Sequence, residues 1–404
     1  MEVKRSSNID FLRRAQDTDF IKVITGARRC GKSTLLRQFQ TALVESGVAP
    51  EQIISINLEE LEFREIATYL DLYDHIVSRL KPDAMNYVFI DEVQMIDSFE
   101  KAVDSLYVKD NVDIYVTGSN SKMLSSEIAT LLTGRYIECK VLPLSFAEYM
   151  QLHVDENPQQ VFLEYAEFGG FPGVAVQQDE LISDRVLESI FNSSIIKDVL
   201  DKMPNIDQRK LHQVVEFVFN NVGNITSPNK IANAMTSRGE SISNHSVSAY
   251  LALLEDNFTL YPASQYDIRG TQLLETQQKF YLVDVGLRRV TTSRDPFQDR
   301  GHALENIVYL ELLRRFPKVW IGKIDNNEVD FMVTDRDRNT QYYQVALTAL
   351  DETTLARELK PLQRINDAFP RWLITSDNIR TTNYDGIRHI NVVDWLLDGS
   401  QPSG

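Results

Sequence analysis

The chain has 404 residues, 43% hydrophobic and 25% charged, with a net charge of −16; this excludes a low-complexity protein and one that grips nucleic acid through a broadly basic surface. No apolar run reaches the length of a membrane span, and Met1-Glu2-Val3-Lys4-Arg5 lacks the apolar core of a secretory signal. Two cysteines, Cys30 and Cys139, provide no disulfide framework and fit a reducing, cytoplasmic setting.

The first predicted strand is Ile21-Lys22-Val23-Ile24-Thr25. It runs into Gly26-Ala27-Arg28-Arg29-Cys30-Gly31-Lys32-Ser33, a G-x-x-x-x-G-K-S phosphate loop, with Thr34 completing the binding stretch. A helix follows from Ser33 to about Glu45, with Leu35, Leu36, Phe39 and Leu43 as its apolar stripe. The chemistry needs each part. Glycines let the backbone curl around a polyphosphate, and the N–H groups of the loop and helix start point at anionic oxygens. Lys32 reaches the β- and γ-phosphates, and the Ser33 hydroxyl is a Mg²⁺ ligand.

Ile53-Ile54-Ser55-Ile56-Asn57 is the next strand, and Tyr87-Val88-Phe89-Ile90 is an apolar strand that ends in Asp91 and Glu92. In a doubly wound sheet the ligand crevice lies at the carboxyl ends of the strands. Asp91 therefore belongs to the Mg²⁺ shell, and Glu92 orients and deprotonates the attacking water. A fourth strand, Val112 to Val116, leads into Thr117-Gly118-Ser119-Asn120-Ser121, where Asn120 and Ser119 are candidate γ-phosphate sensors. Gly134-Arg135 follows, and Arg135 is the candidate arginine finger, acting across a subunit boundary. The order predicts a mostly parallel α/β sheet. A guanine-reading N-K-x-D is missing, since Asn229-Lys230-Ile231-Ala232 lacks the Asp, so the nucleotide expected is ATP.

Beyond Ser145 the pattern turns helical. Phe168-Gly169-Gly170-Phe171-Pro172-Gly173 is a turn cluster and a candidate hinge, and an amphipathic helix covers Leu181 to Met203. A helix from Leu211 to Asn221, a second capped by Ser227-Pro228, a third starting at Ser243 and a strand at Phe258-Thr259-Leu260-Tyr261 make the pattern of a winged helix-turn-helix. Its third helix would face a DNA groove with Asn244, His245 and Ser248. The same module also serves protein contacts, and Glu255-Asp256 does not help DNA binding.

From Gly301 the order is helix (Ala303 to Arg315), three strands (Val319–Gly322, Glu328–Val333, Tyr342–Ala346), helix (Thr353–Asp367) and strands at Arg371–Thr375 and His389–Val393. That is the order of the PD-(D/E)XK nuclease core. Glu305 and Asp330 supply carboxylates, but the third strand reads Gln344-Val345-Ala346, with alanine where a lysine belongs. Lys360 is the nearby candidate for a migrated lysine. A degenerate, non-cutting core is the simpler expectation, and an ATP-regulated, metal-dependent DNA nuclease is the alternative.

With "IKVITGARRCGKSTLL", "FIDEVQ", "VTGSNS", "LTGRY", "PLSFAEY", "GGFPGV", "KFYLVDVGLRRV", "GHALENIVYLEL" and "NEVDFMV" in place, the chain resembles the prokaryotic AAA-type ATPases that join a winged helix to a PD-(D/E)XK-like core. The resemblance implies ATP binding and hydrolysis, with Gly31, Lys32, Ser33, Asp91 and Glu92 at the matched positions. The expected organisation is an ATPase domain over residues 1–150, a helical linker over 151–204, a winged helix-turn-helix over 205–290 and a nuclease-like domain over 291–404. The expected partners are ATP with Mg²⁺, DNA or a protein reached through the C-terminal part, and further copies of the chain, with no membrane.

Overall fold

The computed structural model describes residues 2–119, 134–196, 199–200, 203, 206–291 and 300–398. They form two compact units, one over Glu2–Leu142 and one over Pro143–Glu255 with Thr259 onward.

The first unit is an α/β sheet of five strands, β1 (Ile21–Thr25), β2 (Ile53–Asn57), β3 (Asn86–Asp91), β4 (Val112–Gly118) and β5 (Tyr136–Lys140), in the order β2-β3-β4-β1-β5. Every pairing is parallel. The central strands β1, β3 and β4 are largely apolar and buried because both faces are covered. Val88 and Ile90 join one core with Ile56, Leu72, Val103 and Leu106. Tyr87 and Phe89 point the other way, into a core with Leu35, Leu36, Phe39 and Tyr115. Three helices supply the covering side chains: α2 (Lys32–Glu45), α3 (Tyr69–Val77) and α4 (Phe99–Tyr107). Helix α1 (Ser6–Ala15) adds Leu12 to the second core.

The amino end of this sheet holds a buried charge. The fully buried Lys22 ammonium pairs with Asp113. Lys22 also donates to the Thr18 carbonyl at 3.1 Å. Asp113 accepts from the Tyr115 hydroxyl at 2.8 Å and from the Asp17 N–H at 3.0 Å. Burial pushes the Asp113 carboxyl up, and Lys22 pulls it back down.

The second unit is built on an eight-stranded mixed sheet in the order β12-β13-β11-β10-β9-β8-β6-β7. Its strands are β6 (Leu260–Asp267), β7 (Gln272–Leu282), β8 (Lys318–Ile324), β9 (Asn327–Thr334), β10 (Thr340–Ala346), β11 (Arg371–Thr375), β12 (Thr382–Tyr384) and β13 (Ile387–Asn391). The hairpin β6–β7 is the edge of this sheet, through parallel pairing of β6 with β8. Ahead of it come α5 (Pro158–Phe168), α6 (Glu180–Ile190), α7 (Gln208–Asn220), α8 (Pro228–Ser237) and α9 (Asn244–Asp256). Ser227 caps α8, accepting from the Lys230 N–H, and Ser243 accepts from the Ser246 N–H, so both helix starts fall where the serines place them. Where one helix was expected from Leu181 to Met203, the α-helix runs to Ile190, a π-helical segment follows over Phe191–Ile196, and residues 199–200 are helical again.

Two further helices, α10 (Arg300–Arg315) and α11 (Glu352–Gln363), cover the sheet. Asn306 of α10 binds both the N–H and the carbonyl of Leu282, at 2.8 and 2.9 Å, which docks the helix on β7. The glycine turn at 168–173 is pinned within this unit. The Gly170 N–H donates to Asp284 at 2.7 Å, and the Gly170 carbonyl accepts from Leu144 at 2.7 Å. Gly169 has φ +78°, and a Cβ there would lie 1.7 Å from the Asp284 carboxylate, so only glycine fits. Burial pushes the Asp284 carboxyl up to about 7.

Replacing Lys22 with Met leaves Asp113 buried without its counter-charge, and unfolding of the first unit should then cost about 3–5 kcal/mol less. The paired change Lys22→Met with Asp113→Leu should recover most of that loss in the same denaturant titration.

Candidate functional site

The carboxyl ends of β1, β3 and β4 bring the phosphate loop and the acidic pair together. The loop leaves β1 through Gly26, where a Cβ would sit 2.1 Å from the Val141 carbonyl oxygen. Arg29 and Gly31 both take positive φ, +62° and +102°, and this bend turns the chain into α2. Arg5, buried behind the loop, donates to the carbonyls of Cys30 and Leu142. Burial pushes the Cys30 thiol up, partly offset by Lys32 and Arg5, so it is a neutral packing group.

Lys32 is 4% exposed, and its ammonium donates to the carbonyls of Gly26 at 3.1 Å and Ala27 at 3.2 Å. The Glu92 carboxylate lies 3.8 Å away through Oε1. A buried ammonium held by two carbonyl dipoles and a distant carboxylate is ready to move to a stronger anion. Asp91 and Glu92 are buried at the end of β3. The Thr117 hydroxyl donates to Asp91 Oδ1, and Thr117 Oγ1 in turn accepts from the Glu92 N–H at 2.9 Å. Glu92 has φ +54°, an uncommon backbone for a residue with a side chain, and Thr117 fixes it. The Glu92 Oε2 accepts from Gln94 and, at 3.4 Å, from Ser119.

Ser33 and Thr34 open α2 and are half-buried, beside the buried Lys32. Asn120 lies outside the described residues. Ser119 is at the site through its contacts with Gln94 and Glu92. Arg135 is not brought to the loop. Ile21 donates to its carbonyl and Tyr136 pairs with Ile21, so Arg135 sits at the amino end of the parallel sheet, opposite the loop. It pairs there with Asp104 and covers the Tyr107 ring. Strand direction therefore places the Arg135 guanidinium away from the phosphate loop of its own chain.

Arg5, Gln94 and Thr117 were missed as functional positions. Arg5 is distant in sequence, and Gln94 and Thr117 carry no charge, so neither stands out without the sheet that gathers them. Among the described residues, no group of three His, Cys, Asp or Glu side chains is arranged to hold a metal ion. A Mg²⁺ bound by one or two protein groups plus phosphate needs no such group.

A second charged cluster occupies the sheet of the C-terminal unit. Lys279 of β7, 4% exposed, contacts Glu305 at 2.9 Å, Glu328 at 2.6 Å and Asp330 at 4.0 Å. The Tyr281 hydroxyl donates to Glu305 at 2.7 Å. The Val345 N–H donates to Asp330 at 2.8 Å, and Gln344 donates to Glu358 at 3.1 Å. The lysine that lies beside Glu305 and Asp330 is Lys279, which the sequence reading did not single out, while the candidate Lys360 is exposed. Burial works against the charge on Lys279, and its three acidic neighbours push it back up, so it is an ammonium. Burial, then Glu305, push Asp330 well above the usual carboxylate range. In α9, Asn244, His245 and Ser248 are all exposed.

A family model described as an AAA domain matches residues 18–150, and one described as a domain of unknown function matches residues 159–298. An uncharacterized protein of Haemophilus influenzae is 40% identical over 98% of each chain. An uncharacterized protein of Methanocaldococcus jannaschii is 29% identical over 93% of this chain and 85% of its own. Among solved structures, a Walker-type ATPase of Pyrococcus abyssi superposes with a TM-score of 0.51 at 16% identity, covering 72% of this chain and 96% of that one. The last is a likeness of fold. Among the described residues no helix is long and apolar enough to cross a membrane.

Proposed function

We infer, from the premise that the chain carries an AAA domain over residues 18–150 and belongs to one family with its Haemophilus influenzae relative, that it is an ATP-hydrolysing switch. Its nucleotide state repositions the C-terminal unit, which acts on DNA or on a protein partner. The observation that supports hydrolysis is the buried Lys32 ammonium between the loop carbonyls and Glu92. Lys32 moves to the β- and γ-phosphates and leaves Glu92 to act on water. The loop N–H groups from Gly26 to Thr34 hold the phosphates. Ser33 and Asp91 are suited to Mg²⁺, since a hydroxyl and a carboxylate are the hard oxygen ligands it takes. When bound, that ion neutralises phosphate charge. Glu92 accepts the water proton, the water oxygen bonds to the γ-phosphorus, and the bond to the bridging oxygen breaks with its electron pair leaving on ADP.

The C-terminal unit is read as a winged-helix and nuclease-like module that does not cut. Lys279 already engages Glu305 and Glu328 and lies against Asp330, and the raised carboxyl of Asp330 holds its proton more readily than a metal ligand should. The DNA reading is supported by the exposed Asn244, His245 and Ser248 on one helix. The alternative, an ATP-regulated metal-dependent nuclease, is favoured by the lysine that Lys279 places beside Glu305 and Asp330.

Three outcomes check this reading. Lys32→Ala should weaken ATP binding in a titration with labelled nucleotide, whereas Glu92→Gln should retain binding and lose about 100-fold or more of turnover. Equal ATPase rates for wild type and Glu92→Gln would remove Glu92 from the mechanism. Arg135, exposed at the sheet's amino end, is proposed to act on a neighbouring copy's nucleotide. Arg135→Ala should slow hydrolysis by about 10³-fold, and mixing it with Glu92→Gln protein should restore part of the rate. Unchanged turnover by Arg135→Ala would discard that role. Finally, linear, supercoiled and branched DNA should stay intact with Mg²⁺ or Mn²⁺, with or without ATP. Metal-dependent cutting that disappears in both Asp330→Ala and Lys279→Ala would establish the nuclease instead.

A further inference from the structure

Glu92 has two carboxylate oxygens, and they are not equivalent. Oε2 accepts from the Gln94 side-chain amide and faces the Ser119 hydroxyl at 3.4 Å. Oε1 faces the Lys32 ammonium at 3.8 Å, beyond hydrogen-bond distance. The amide orientation of Gln94 follows from its neighbour. A carboxylate only accepts, so the NH₂ end must face Glu92 and the carbonyl end must face away. That carbonyl, Gln94 Oε1, is buried and accepts no hydrogen bond from the described residues. An unpaired buried acceptor is unfavourable, and reversing the amide would set two acceptors against each other at Glu92. The fold thus tolerates an orphaned oxygen to keep a donor on the carboxylate.

The local backbone explains why residue 94 can do this. Glu92 turns left-handed at the end of β3, and Val93–Met95 then forms one 3₁₀ turn. Val93 points into the core, fully buried, and Gln94 returns toward the strand end. Ser119 comes from the end of β4, so the amide bridges two strand ends, 3.4 Å from the serine hydroxyl.

We propose that Gln94 is a positioning residue for hydrolysis: by occupying Oε2, it leaves Oε1 on the Lys32 side as the oxygen that takes the proton from water. The proposal rests on the ATPase reading above. Once Lys32 turns to the phosphates, Oε1 is the free oxygen that faces them. Gln94 acts through Glu92 and need not touch the nucleotide.

The test compares Gln94→Leu and Gln94→Glu with wild type, in full-length protein with MgATP. Gln94→Leu removes the donor, and Gln94→Glu keeps the shape but sets a second carboxylate against Oε2. The expected kcat order is wild type, then Leu, then Glu, with losses of about 10-fold or more, while affinity for labelled nucleotide changes less than about twofold. A packing role predicts the reverse order, because glutamate has the shape of glutamine. Thermal unfolding of each variant separates misfolding from loss of positioning. In a Glu92→Gln background, Gln94→Leu should add little further loss in single-turnover measurements, because there is no carboxylate left to orient. Wild-type kcat in Gln94→Glu, or full additivity with Glu92→Gln, overturns the proposal and leaves the ATPase reading standing. A wild-type chain that binds ATP without turning it over overturns both.

Discussion

A charge removed from water must find its counter-charge inside the protein, and that constraint organises both units. Lys22, Lys32 and Lys279 are all at most 4% exposed. Each is answered differently. Lys22 has a close carboxylate and is a closed, structural pair. Lys279 has three acidic neighbours and is held from several sides. Lys32 has two carbonyls and only a distant carboxylate. The least satisfied of the three therefore stands where a polyanion would complete its environment, and the two well-satisfied ones stand where nothing needs to move.

Strand direction does the rest. Five parallel strands collect the phosphate loop, Asp91, Glu92, Thr117 and Ser119 at one end, and the Lys22–Asp113 network at the other. Parallel pairing also decides that Arg135, only one residue ahead of β5, belongs to the opposite end from Lys32. The cores on the two faces hold these ends rigidly, since Val88 and Ile90 pack one way and Tyr87 and Phe89 the other.

Much of this was legible in the sequence because it is carried by local pattern. The strands Ile21–Thr25, Ile53–Asn57 and Arg371–Thr375 fall where their apolar runs place them. Ser227 and Ser243 mark helix starts through a side chain that bonds the nearby backbone. The edge strand β5 was not legible, because Tyr136–Lys140 buries only Cys139 and carries Glu138 and Lys140. The ending of α6 was not either, since a π-turn inserts without a proline or glycine. Within the site, the loop and Asp91–Glu92 announce themselves by spacing. Gln94, Thr117 and Arg5 matter only through contacts that close over many residues or around one tight turn. Lys279 was hidden for the same reason, because it lies on β7, far along the chain from the carboxylates it meets.

The lysine on that hairpin has a consequence for how this protein can be divided and how it can change. Glu305, Glu328 and Asp330 come from α10 and β9, yet their shared counterion arrives from a strand that precedes them both. A polypeptide severed between β7 and α10 would strand three carboxylates around an empty centre, so the boundary that looks natural along the chain is not one along which the fold can be inherited or exchanged. Loss of Lys279 alone leaves the same uncompensated negative charge. The four positions form one electrostatic unit, in which a change at any of them alters the surroundings of the other three.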